Sequence, residues 1–158
     1  MPEFIMGTFY WVHLLATVTW IGGIIFILFI AIPSSRRVLG ADAGKLMGDI
    51  SKRFTPLANY SIVLLAASGA GLTLLNEQFS GIGFPENKWS SVLLIKLVLV
   101  LCMVLVHFYR GLILAPAVSR TTSDGRKKSL QKLSLNLVKA NLVIGVLVLF
   151  LSGIMSTS

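Results

Sequence analysis

The chain has 158 residues, 55% of them hydrophobic and 13% charged, with a mean hydropathy of +0.84 and a formal net charge of +8. So few charges, about half the share found in soluble domains, exclude a soluble globular protein, which needs more polar surface to cover a core this size. The basic balance does not indicate nucleic acid, because the positive residues sit in short segments between apolar blocks, as in cytoplasmic loops.

Four apolar blocks follow in chain order, each long enough to span about 30 Å of hydrocarbon. The first is expected over residues 5–32. Met1-Pro2-Glu3-Phe4 ahead of it lacks the basic region of a signal peptide, and no small-residue cleavage site follows, so the block reads as a permanent helix. His13, Thr17 and Trp20 share one of its faces. Pro33 and the Ser-Ser-Arg-Arg after it are expected to end the span. The segment from Arg37 to Arg53 reads equally as a short amphipathic stretch on the inner leaflet or as a solvated loop.

The second span is expected over residues 54–75, with Pro56 in its first turn, where a missing N–H costs little. Ala66-x-x-x-Ala70 and Ala67-x-x-x-Gly71, with Gly22-Gly23 in the first span, permit close helix contact. The third span, residues 89–115, is stopped by Pro116. It carries Lys96, Met103, His107 and Arg110, which at about 100° per residue fall within a sector of about 60°. The fourth span is expected over residues 133–155 and contains Lys139. The single cysteine, Cys102, can form no intrachain disulfide. No sequence repeat is visible.

The expected fold class is therefore all-α: an integral membrane four-helix up-down-up-down bundle, one transmembrane domain over residues 1–158. Ten of the fourteen Lys and Arg residues lie in the segments 34–53 and 117–132. The loop from Asn76 to Lys88 sets Lys88 against Glu77 and Glu86. This bias puts both basic segments in the cytoplasm and both termini outside.

Polar side chains inside hydrocarbon are costly, about 2.5–3.5 kcal/mol for Arg or Lys on insertion scales, and mark functional sites by default. His13 and Lys96 are expected near one depth in the outer half, with His107, Lys139 and Arg110 in the inner half. Counting about 1.5 Å per residue puts His13 about 12 Å and His107 about 24 Å from the outer surface. Neutral imidazole is a common axial ligand of haem iron, and Met can be the second. Cationic Lys and Arg suit haem propionates. The structural alternative is that both histidines hydrogen-bond across helices. Met6, Met47, Met103, Met155 and Cys102 are soft copper ligands by type, but no Met-x-x-x-Met or Cys-x-x-Cys pair occurs. The spans hold no Asp or Glu, which argues against a proton- or sodium-coupled transporter.

Trp11-Val12-His13-Leu14-Leu15, followed by Val18-Thr19-Trp20-Ile21-Gly22-Gly23, resembles the first helix of the HemJ-type protoporphyrinogen oxidases and related CopD-domain proteins. Lys52-Arg53-Phe54, and Trp89 through Lys96 to His107-Phe108-Tyr109-Arg110, resemble the same family's later helices. The resemblance implies haem b bound through His13, with Lys96 as its partner, and electron flow from a porphyrinogen toward the respiratory chain. The sequence departs from the HemJ pattern at Pro33-Ser34-Ser35, where a further histidine is expected. It departs again at Asn136, Lys139 and Asn141, where a Glu-x-Pro stretch is expected. Both departures fit a CopD-like relative better than a porphyrinogen oxidase.

The expectation is a membrane haem b protein in electron transfer or porphyrinogen- or quinone-linked redox chemistry, in the cell inner membrane. His13 and His107 are the candidate iron ligands, Lys96 and Arg110 the charge partners, and Trp20 a pocket wall. The partners expected are the lipid bilayer, a quinone or porphyrin, and a homo-oligomer or larger redox complex. The alternatives are a copper-handling CopD-like permease and a non-catalytic accessory subunit of a respiratory or photosynthetic complex.

Overall fold

The computed structural model describes residues 2–77, 79 and 88–156. Among these residues there is no strand, and the helices run beyond the spans expected from the sequence. Most of the loop expected at 76–88 lies outside the described residues. Three helical stretches are long and apolar enough to cross a membrane: Glu3–Leu74, Lys88–Arg120 and Asp124–Ser156. Large apolar side chains such as Phe4, Val18 and Leu112 are exposed along them, as lipid-facing residues are.

The chain forms two compact units, residues 1–79 and 80–158. In the first, helix α1 (Pro2–Phe26) passes through a π-helical turn, Ile27–Ala31, into α2 (Ile32–Leu39). One 3₁₀ turn, Gly40–Asp42, leads to α3 (Ala43–Leu74). Gly40 has φ of +51°, a conformation that side-chain-bearing residues rarely adopt. Beyond it α3 returns along α1 as an antiparallel hairpin. Three close approaches fix the register: Gly23 against the Phe54 ring, His13 against Ser68 and Gly69, and Phe9 against Gly71.

In the second unit, α4 (Lys88–Phe108) passes through a π-helical turn, Tyr109–Leu114, into α5 (Ala115–Arg120). Residues 121–123 leave the helix, and α6 (Asp124–Ser156) folds back on α4.

Neither Pro33 nor Pro116 ends its helix, contrary to expectation. Each follows a π-helical turn by two residues, and the N–H groups of Ile32 and Ala115 reach back five residues to Ile27 and Arg110. The wider turn carries the backbone past the carbonyl that the proline ring meets in a regular helix. Pro56 lies inside α3, not in a first turn, because the basic segment before it is already helical. Arg37–Arg53 is thus largely helical, steadied by exposed pairs Lys45–Asp42 (2.8 Å) and Arg53–Asp49 (3.0 Å). Such pairs contribute only about 0.2–0.5 kcal/mol each.

The two hairpins repeat one plan. Trp20 and Met103, each 2% exposed, stand thirteen residues ahead of Pro33 and Pro116. Buried Ile24 and His107 stand nine ahead, and half-buried His13 and Lys96 twenty ahead. On the returning helices the buried set Ala58, Ser61, Ser68 has the spacing of Val138, Asn141, Val148.

Candidate cofactor-binding site

Spacing and burial decide which polar residues turn inward. On α1, His13 and Thr17 are half-buried and Trp20 is buried, so their shared face is the packed one. The Thr17 hydroxyl donates to the His13 carbonyl at 2.7 Å, satisfying itself within the helix. The His13 ring crosses to α3, where Nδ1 lies 2.9 Å from Ser68 Oγ. Ser68 Oγ in turn donates to the Leu64 carbonyl at 2.6 Å. A Cβ at Gly69 would lie 3.3 Å from His13 Cε1, so the glycine leaves the imidazole its place. The first unit therefore holds an imidazole anchored through one ring nitrogen.

On α4, Met103 and His107 are buried and Lys96 half-buried, with half-buried Arg110 opening the π-helical turn. The four residues expected to share a face do line the packed side of this helix. Arg110 Nε donates to Ser134 Oγ of α6 at 3.2 Å, which fixes the guanidinium against the neighbouring helix. The His107 ring meets Phe108 edge-on with centroids 5.4 Å apart. Asn141, 4% exposed, keeps its Oδ1 without a hydrogen-bond partner among the described residues.

One residue expected in the inner polar layer is not there: Lys139 is exposed on α6. The buried stripe of Val138, Asn141, Gly145 and Val148 explains this, because Lys139 falls about 140° from its middle. Its long side chain can instead carry the charge to the headgroups. Cys102 is exposed.

Sequence reasoning missed Ser68 and Ser134, the two hydroxyls that meet the candidate His and Arg. A single serine in an apolar span ordinarily back-bonds to its own helix and marks nothing. The only available signal was small size on the helix face nearest the histidine.

His13 and Trp20 belong to the first unit; Lys96, His107 and Arg110 belong to the second. Among the described residues no group of three or more His, Cys, Asp or Glu is placed to hold a metal ion. An axially held porphyrin iron needs only one or two such ligands, and the donors present fit that requirement.

Comparison with known proteins gives one family. The copper resistance protein D (CopD) family matches residues 48–155, which run from α3 to the end of α6 and include Ser68, Lys96, His107 and Arg110. His13 and Trp20 lie ahead of the matched segment. No curated protein and no solved structure matches the chain. A match over more than half of an all-helical chain with three membrane-length apolar stretches makes it a membrane protein of the CopD family.

Proposed function

We propose that the protein is a membrane haem b protein acting in electron transfer, with His13 as the axial ligand. The observation that carries this reading is the anchoring of the His13 ring to Ser68 at 2.9 Å. Histidines that hold metals are characteristically fixed through their second ring nitrogen, which sets orientation and raises ligand basicity. Haem bound there supplies a one-electron centre within the membrane. In the same unit Trp20 forms a wall and the apolar helix faces exclude water; Lys96 is the proposed cation for haem propionates, as the family resemblance implies.

His107 serves a separate inner site with Arg110, whose guanidinium Ser134 holds. The four helices α1, α3, α4 and α6 each cross the bilayer, up-down-up-down, with both basic connections inside and both termini outside. A bacterial-type inner membrane, where quinones and porphyrins meet the respiratory chain, is the fitting location.

The family's description favours a second reading, copper handling. It needs a cluster of soft or imidazole ligands. Met103 is buried and Cys102 beside it is exposed, so adjacent sulfur ligands on α4 do not face one site. The absorption spectrum and metal content of the purified protein separate the readings. A Soret band with split α/β bands on reduction supports haem b. Bound copper without haem contradicts it, and neither group points to an accessory subunit.

A further inference from the structure

Ser68 is 1% exposed, and its hydroxyl carries one hydrogen. That hydroxyl stands 2.6 Å from the Leu64 carbonyl and 2.9 Å from His13 Nδ1. The carbonyl can only accept, so the hydroxyl hydrogen is directed there. Toward His13 the same oxygen then accepts, and the proton of that bond belongs to Nδ1. The hydrogen-bond network thereby assigns the neutral imidazole its Nδ1–H tautomer and puts the ring lone pair on Nε2.

The other hairpin provides an internal comparison. The position equivalent to Ser68 is Val148, buried in the same place in the plan, so packing alone does not demand a hydroxyl. The position equivalent to His13 is Lys96. The serine thus occurs in the hairpin that carries the imidazole. Gly69 completes the seat, because a Cβ there would press on Cε1 at 3.3 Å, with Nδ1 in ordinary contact at 3.8 Å.

We propose that Ser68 is a positioning residue that, with Gly69 beside it, fixes the tautomer and ring plane of His13. The proposal rests on the reading of His13 as an axial ligand, and its test separates the two. The full chain in lipid nanodiscs is labelled with ¹⁵N-histidine, and its ring tautomers are read by NMR before haemin is added. Haemin is then titrated into wild type, Ser68→Ala, Ser68→Thr, Gly69→Ala and His13→Ala.

His13 is expected as the Nδ1–H tautomer. Ser68→Ala is expected to weaken haemin binding about 10- to 100-fold with helicity unchanged, as loss of a ligand-orienting partner does. Ser68→Thr, which keeps the hydroxyl, restores the affinity, and Gly69→Ala weakens it. An Nε2–H tautomer at His13 overturns the proposal. So does wild-type affinity in Ser68→Ala while His13→Ala has lost haemin, and that result leaves the haem reading standing. Wild-type affinity in His13→Ala instead removes the axial-ligand reading, and the tautomer spectrum still decides what Ser68 does. Should Ser68→Ala not fold, the wild-type tautomer and the Ser68→Thr titration decide.

Discussion

A charged amine inside an apolar helix face is there at a cost. Half-buried Lys96 must lose part of its hydration in the membrane, which nothing in apolar packing returns. Replacing it by methionine of similar length removes that cost, so Lys96→Met should unfold at the same temperature as wild type or higher. The same change should weaken binding of an anionic porphyrin by about tenfold or more, the equivalent of about 1.5–3 kcal/mol for a hydrogen bond to a charged group. Thermal unfolding and haemin titration measure both. Loss of folding with binding intact would make Lys96 a structural partner. At this scale the histidines, Lys96 and Arg110 were legible because each violates an apolar helix. Ser68 was not, since its meaning depends on a histidine 55 residues away on another helix. Lys139 misled for the converse reason: it is as polar as Lys96, but only the buried stripe of α6 reveals that it faces outward.

The helices themselves were legible from apolar length, and their ends were not. Proline as a stop signal fails at Pro33 and Pro116 because a π-helical turn precedes each, and that turn leaves no mark in hydrophobic periodicity. The basic segments extend α3 and α6 by about three turns beyond the hydrocarbon-length blocks, since helix continues wherever charged residues can reach water. The contact between α1 and α3 runs through glycines that the small-residue spacing marked, Gly23 on α1 and Gly71 on α3. A Cβ at Gly23 would overlap the Phe54 ring. Gly23→Ala should therefore destabilise the first hairpin by about 1–3 kcal/mol, the usual penalty of overpacking. The loss should shrink in a Phe54→Ala background, where the ring is gone. Chemical denaturation of the single and double variants provides the measurement, and equal losses in both backgrounds would show that the contact does not govern the hairpin.

Across the molecule, one hairpin plan occurs twice, with the same proline, the same π-helical turn and the same buried registers. The sequence shows no repeat because apolar residues interchange freely at most of these positions. What differs between the copies is the polar set: His13 against Lys96, Ile24 against His107, Ser68 against Val148. The polar side chains of the packed faces thus mark where the two hairpins depart from their common plan. Such a plan, with basic turns at equivalent ends, also predicts equivalent topology for the two hairpins. In a Cys102→Ser background, a membrane-impermeant thiol reagent added outside should modify Ile82→Cys and leave Lys45→Cys and Lys127→Cys unmodified. Labelling at 45 or 127 with none at 82 would reverse the orientation.

The central claim is that His13 alone grips the iron, and the paired variants His13→Ala and His107→Ala test it most directly by optical and paramagnetic resonance spectra of the purified proteins. His13→Ala should lose the Soret band outright, while His107→Ala should keep it with its ligand-field signature unchanged. A low-spin bis-histidine signal in wild type, lost equally in either variant, would contradict the account by placing both imidazoles on one iron.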